Sequence, residues 1–220
     1  QRIGKRIVFE FDEERFLVLH LMRAGRLRWR DGSAKAPHAK LILAEFTFQH
    51  GRLFLTEAGS TRRAAMHVIR GRAALAALDP GGIDPLAASL DEFRAALTRD
   101  SHTLKRALTD PHLISGVGNA YSDEILHAAR LSPLKLARAL TGGESARLYE
   151  ATRRTLSGWL ERLRAEAGGA FPEQVTAFRD GMAVHGRFKA PCPVCGAPVQ
   201  RIVYAENECN YCARCQTGGR

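Results

Sequence analysis

The stretch Cys192–Cys215, which reads CPVCGAPVQRIVYAENECNYCARC, constrains the fold of this chain more than any other. It holds two Cys-x-x-Cys pairs, Cys192/Cys195 and Cys212/Cys215, with sixteen residues between them. Two such pairs on two short turns bring four thiolates around one Zn²⁺ in a tetrahedron. Val199, Ile202, Val203 and Tyr204, then the polar bend Glu206-Asn207-Glu208, suit a β-hairpin between the pairs. All five cysteines of the chain lie here. Cys209 precedes Cys212 by three residues, so Cys209/Cys212 is a second possible pair with a thirteen-residue spacer. Spacing alone leaves both pairings open. Closed four-cysteine sites are most often structural, so the purpose of this one has to be read from the rest of the chain.

The 220 residues suffice for one or two small domains with real cores. No apolar run approaches the roughly 20 residues that span a bilayer. No secretory signal is visible. Cysteines gathered at metal spacing point to a reducing, intracellular setting. Net charge is +10 and unevenly placed. Residues 1–72 carry 15 Lys+Arg against 7 Asp+Glu, whereas residues 73–191 carry 15 against 14. A positive field concentrated on one third of a chain favours a polyanion, above all nucleic acid.

Residues 1–72 read as β-structure. Ile7–Phe9, Phe16–Leu19, Leu41–Leu43 and Leu53–Leu55 are short runs of strand formers separated by turn signals. Arg26-Leu27-Arg28-Trp29-Arg30 alternates, placing Arg28 and Arg30 on one face as candidate phosphate contacts. Residues 73–90, with Asp79-Pro80-Gly81-Gly82, read as a linker. From Asp91, a candidate N-cap, the period becomes helical, and Ser101 is a candidate cap for the next helix. Glu144 to about Ala167 reads as a long helix with Leu148, Leu156, Leu160 and Leu163 inward. Between these helices lies Leu113–Leu126, whose Gly116-Val117-Gly118-Asn119 turn opens a helix. Bare backbone N–H groups at such a turn make an anion site. The expected domains are therefore 1–72, a basic β-domain whose short strands suit a sandwich or a barrel; 91–185, helical; and 186–220, a zinc hairpin.

In their order, these pieces resemble the formamidopyrimidine-DNA glycosylase/endonuclease VIII family. Ile114–Leu126 matches its helix–two-turns–helix motif, and the Cys-x-x-Cys, sixteen, Cys-x-x-Cys hairpin matches its zinc hairpin. The resemblance implies an α+β protein: a β-sandwich, a helical domain and a terminal zinc β-hairpin, with DNA lying between the domains. It implies Cys192, Cys195, Cys212 and Cys215 as ligands of one structural Zn²⁺, with Cys209 a bystander. It further implies a monomeric DNA repair enzyme of the bacterial cytoplasm, acting on duplex DNA with a damaged base or abasic site. In the family's chemistry an N-terminal proline amine forms a Schiff base with the sugar, and a neighbouring glutamate moves protons. Elimination then cuts the strand. Lys5 matches the lysine that assists there and holds a phosphate. Asn119, with Gly118, matches the phosphate contact beside the flipped nucleotide. Gly186-Arg187 before the hairpin also fits.

Three departures accompany the match. The Pro-Glu start is absent, and Gln1 lies only four residues before Lys5, so missing upstream sequence is expected. Arg23 occupies the place of the family's void-filling methionine, with Met22 one residue earlier, and Arg62-Arg63 carries no aromatic wedge. Asn207 replaces the phosphate-gripping arginine of the zinc hairpin, leaving Arg187 or Arg201 to supply charge. A non-catalytic DNA-binding protein on the same scaffold, or a zinc-ribbon module of the transcription machinery, are the rival readings.

Overall fold

The computed structural model describes residues 1–59, 61–173, 176–204 and 207–219. Two compact units emerge, Gln1–Asp79 with Leu163–Thr176, and Pro80–Arg162 with Ala177–Arg220. The division falls inside the stretch read as a linker. Residues Leu163–Thr176, expected with the helical domain, group instead with the β-domain. The cause includes long-range charge pairing: Glu173 accepts from Arg28 Nη1 at 3.2 Å and also binds Arg30. Those two guanidiniums are thus held by a carboxylate, which the strand's alternation did not reveal.

The first unit contains β1 (Arg2–Ile3), β2 (Arg6–Phe11), β3 (Arg15–His20), β4 (Gly25–Asp31), β5 (Ile42–Phe48), β6 (Gly51–Glu57), β7 (Ala65–Arg70) and the short helix α1 (Arg72–Ala76). One sheet has the order β1-β2-β3-β7 and the other β4-β6-β5, all antiparallel. The strand β3 explains the arrangement. Its Phe16, Leu17, Val18 and Leu19 are all buried, an apolar run that suits a strand covered on both faces. Leu17 and Leu19 pack with Leu55, Leu27 and Phe46 of the second sheet. Phe16 and Val18 point the other way, with Val8, onto Leu75 of α1. The expected sandwich is present, with a second small core behind one of its sheets.

The second unit contains α2 (Leu90–Thr98), α3 (Leu104–Thr109), α4 (Asn119–Ala129), most of α5 (Gly142–Ala167), the hairpin β8 (Gln200–Tyr204) and β9 (Asn207–Tyr211), and α6 (Ala213–Thr217). Its core gathers Phe93, Leu97, Leu104, Leu108, Ile114, Ile125, Leu126 and Leu148, each at most 1% exposed. Leu160, expected inward, is 40% exposed. The N-cap of α2 is Ser89, not Asp91: Ser89 and Glu92 close a reciprocal capping box. Thr103 rather than Ser101 precedes α3.

α5 starts with a second such box. Thr141 Oγ1 accepts from Glu144 N at 3.2 Å, and Glu144 Oε2 accepts from Thr141 N at 2.9 Å. Lys135 Nζ lies 2.5 Å from the same carboxylate and, with the Thr141 amide, pulls its pKa down to about 2. A depressed folded pKa stabilises above the unfolded value of 4.5 and is lost as pH falls through 2. Glu144→Gln should cost about 1 kcal/mol at pH 7. The gap to the parent in thermal melts should narrow as pH falls from 5 to 3; a gap independent of pH would contradict the assignment.

Candidate nucleic-acid interface and metal centre

In the first unit, strand register gathers the candidate residues at one end of the four-stranded sheet. Arg6 pairs with His20, and His20 with Ala65. Three connections therefore meet there: the Gly4-Lys5 turn between β1 and β2, the Leu21–Ala24 turn, and the segment joining β6 to β7. Lys5 is exposed at its tip, yet neighbouring protein displaces enough water to lower its pKa. The His20 imidazole beside it is likewise lowered, first by burial and then by the charges of Arg6, Lys5 and His67. The charge part of the His20 shift marks a patch where Arg6, Lys5 and His67 crowd positive charge and an anion would be welcome.

The Leu21–Ala24 turn is sharp. Gly25 N donates to Leu21 O at 2.8 Å, and a Cβ on Gly25 would stand 2.4 Å from that oxygen. Only glycine permits this closure. Met22 adopts φ 52° at its crest and is 44% exposed, with exposed Arg23 beside it. On the third connection, buried Glu57 accepts from the backbone N–H groups of Arg63 and Ala64 at 3.0 Å. The Arg62 guanidinium binds the Lys40 carbonyl.

In the second unit, Gly118 is the N-cap of α4 and Asn119 its first residue. The Asn119 side chain has no hydrogen-bond partner among the described residues. Lys105 Nζ reaches its carbonyl at 2.8 Å, Ser122 Oγ at 2.8 Å and Asp123 Oδ1 at 2.5 Å. Asp123 also accepts from His185 Nδ1 at 2.8 Å and Asn210 N at 3.2 Å. Glu124 accepts from the amides of Ala183, Val184 and His185 at 2.7–2.9 Å. Two buried carboxylates on α4 thus fasten both the 183–185 loop and the strand β9. Sequence reading passed over Lys105, Asp123, Glu124 and His185. A signal was present: Ser122-Asp123-Glu124 are consecutive polar residues, which at about 100° per residue cannot share one solvent face of a helix.

The Sγ atoms of Cys192, Cys195, Cys212 and Cys215 lie within 4.8 Å of one another. The Ala197 amide pulls Cys195 down to about 7, whereas burial and the neighbouring sulfurs push Cys215 up to about 12. Four thiolates this close are jointly stable around a cation, so the donor set fits a soft divalent metal ion. His127 Nε2 of α4 lies 3.3 Å from Cys192 Sγ, an outer hydrogen bond of the kind that orients a metal ligand. Cys209 faces the other way, toward Asp123. Burial, then that carboxylate, push its thiol up to about 12.

Asn207 begins β9 and is exposed near the hairpin tip; Glu206, also assigned to that bend, lies outside the described residues. Arg201 does not offer a free charge: it pairs with Glu208 at 3.4 Å and lies over the Phe188 ring at 4.4 Å. Arg187 donates to Pro191 O at 3.2 Å, and its buried Nε has no partner among the described residues.

The chain as a whole is similar to known proteins. The family profile described as "Formamidopyrimidine-DNA glycosylase H2TH domain" matches residues 82–167. Formamidopyrimidine-DNA glycosylase of Thermus thermophilus is 35% identical over 234 residues, covering 99% of this chain and 81% of that protein. An uncharacterized formamidopyrimidine-DNA glycosylase-like protein of Mycobacterium tuberculosis is 38% identical over 139 residues, 63% of this chain and 86% of that one. The crystal structure of the Thermus thermophilus protein matches with a TM-score of 0.80 at 32% identity, over 99% of this chain and 81% of that. Lactococcus lactis formamidopyrimidine-DNA glycosylase, bound non-covalently to DNA containing an abasic site, matches at 0.80 and 26%, over 98% and 79%. On 35% identity over 99% of its length to the Thermus thermophilus enzyme, with the same fold and the matching family profile, this chain belongs to the formamidopyrimidine-DNA glycosylase family.

Proposed function

We propose that this protein is a DNA repair glycosylase with abasic-site lyase activity, acting on duplex DNA that carries a damaged base or an abasic site. The observation that carries the reading is similarity over 99% of the chain to a protein named as a DNA glycosylase. The rival reading as a non-catalytic binder is not favoured by it. The Schiff-base nucleophile of this chemistry is an N-terminal proline amine followed by glutamate. Neither is at the start of residues 1–220, so the activity is proposed for the protein that carries them.

Within the chain, Lys5 is assigned to the elimination step and its phosphate. The crowded charge at His20 and Arg6 supports this, because an anion there relieves repulsion. Asn119 and Gly118 are assigned to backbone phosphate. Their support is the open side-chain amide and a helix start whose Gly118 cap offers no side chain to its amides. Met22 and Arg23 are assigned to filling the gap left by the flipped base. Their support is the exposed, tightly closed turn that presents them. Arg62, Arg63, Asn207 and Arg187 are assigned to the remaining DNA contacts. Zn²⁺ is the metal proposed for the four cysteines, on the chemistry of an all-thiolate tetrahedral set. It supplies structural rigidity to the hairpin.

Borohydride trapping tests the reading. The protein carrying Pro-Glu, mixed with abasic-site duplex and reductant, should give a covalent adduct on a denaturing gel. Absence of adduct despite DNA binding would refute the lyase and favour the binder. Lys5→Ala in that protein should lower strand cleavage by about a hundredfold, and unchanged cleavage would remove Lys5 from the site.

A further inference from the structure

The outer face of the three-stranded sheet carries an unusual density of positive charge. Directly opposed residues of an antiparallel pair share a face. The pairings Arg26↔Thr56, Arg28↔Phe54 and Arg30↔Arg52 therefore put four arginines on the side turned away from Leu27 and Leu55. Phe54 lies among them and is fully buried, with the Arg52 guanidinium 5.2 Å from the centre of its ring. Arg30 opposite Arg52 is an unfavourable pairing, because like charges across a strand pair repel.

Among the described residues, two carboxylates pair with these four cations. Glu45 Oε1 lies 3.4 Å from Arg52 Nη1. Glu173 spans two others: its Oε2 accepts from Arg28 Nη1 at 3.2 Å and from Arg30 Nη2 at 3.4 Å, and its Oε1 accepts from Arg30 Nη1. Arg28 Nε is also fixed, donating to Thr56 Oγ1 at 3.3 Å. Two guanidiniums gripping one carboxylate make an oxyanion site, and the oxyanion now in it is the protein's own.

The shape of the charge favours a chain-like partner. Arg26, Arg28 and Arg30 alternate along β4, so they form a row about 13 Å long on one face. A compact anion uses one end of such a row, whereas a phosphodiester backbone can follow all of it. The row also begins at the turn that presents Met22 and Arg23: Arg26 Nη1 donates to Gly25 O at 2.7 Å and to Arg23 O at 3.2 Å.

The carboxylate sits on a segment that can leave. Gly168 and Gly169, with φ 55° and 88°, turn the chain out of α5, and residues 170–173 belong to no helix or strand. Withdrawing Glu173 therefore breaks no helix or ladder hydrogen bond. Arg28 and Arg30 remain 34% and 25% exposed beside it, so a solute can reach them.

We infer that the arginine row of β4 is a contact surface for the DNA backbone, and that Glu173 holds the place of a phosphate there until duplex binds. The exchange swaps one oxyanion for another and makes or breaks no covalent bond. It rests on the DNA-binding part of the proposed function and not on the lyase chemistry.

Fluorescence anisotropy of the metal-loaded protein with a labelled, undamaged duplex, over a salt series, tests the exchange. Glu173→Gln keeps the size of the side chain and removes its charge. It should bind roughly threefold tighter or more, and log affinity should fall more steeply with log salt, by about one unit of slope per phosphate gained. Arg28→Gln and Arg30→Gln, made singly, should each weaken binding. Combined with Glu173→Gln, each should cancel most of its gain. Thermal melts of every variant separate unfolding from a lost contact. A Glu173→Gln protein that binds no more tightly than the parent would mark Glu173 as a structural clamp and overturn the proposal. A gain that survives intact in the arginine variants would reflect only the general field of one lost negative charge, and would overturn it too. The borohydride adduct is scored separately on abasic-site DNA, so the lyase reading and this one can each fail alone.

Discussion

Cys212→Ser is expected to strip the protein of its metal. Metal analysis of the parent should give about one equivalent per chain, and the variant close to none. Cys212 lies 3.4 Å from Cys195, sulfur to sulfur, and belongs to the cluster of four. A serine hydroxyl is a far poorer ligand for a soft cation than a thiolate. Structural zinc contributes on the order of 10 kcal/mol or more to folding of its module, so β8 and β9 should lose their amide protection in hydrogen exchange. Cys209→Ser should retain the metal, because that half-buried thiol faces Asp123 rather than the cluster. The converse outcome, metal kept by Cys212→Ser and lost by Cys209→Ser, would move the site to the other spacing.

Asp123→Ala should be nearly as damaging, although it touches no cysteine of the cluster. The carboxylate is 1% exposed and is shared by the Lys105 ammonium, the His185 ring and the Asn210 amide. Its removal leaves a half-buried ammonium without a counter-ion and two buried N–H groups without an acceptor. Breaking one side of such a pair costs about 3–5 kcal/mol. In a chain of this size each kcal/mol shifts melting by about 2–4 °C, so calorimetry should show a fall of roughly 10 °C. A shift under about 2 °C would mean that the network carries little. Lys105→Met combined with Asp123→Leu should recover part of the loss, since removing both charges spares the desolvation penalty. The same variant should weaken DNA binding, because the ammonium that leaves Asp123 also holds the Asn119 carbonyl.

Much of this was legible in the residues, and the illegible parts share a cause. The cysteine spacing, the Gly-x-Gly-Asn turn and strands such as Phe16–Leu19 are local patterns, and each appears where its chemistry placed it. The choice among five cysteines was not settled by spacing; it follows from β9 turning Cys209 toward α4. β7 escaped notice because Met66, His67 and Val68 on this edge strand are exposed, giving no alternation to read. The attachment of 163–176 to the β-domain depends on Glu173 meeting arginines more than 140 residues away in the chain. The acids of α4 were missed for the same reason. Their partners, on α3, the 183–185 loop and β9, are distant in sequence, and charge on a helix is ordinarily solvated.

The strand β3 carries one further consequence. Its side chains are shared between two cores, so neither can open without disturbing the other. Its amides should therefore be among the last of the β-domain to exchange. The Leu21–Ala24 turn grows directly from the end of that strand and is closed by Gly25. The conformational entropy of presenting Met22 and Arg23 is thus lost when the chain folds, before any duplex arrives. In the DNA-contacting role proposed for it, a side chain mounted on so stiff a root would press on a base stack rather than adapt to it, and its contact with DNA should carry a small entropic penalty.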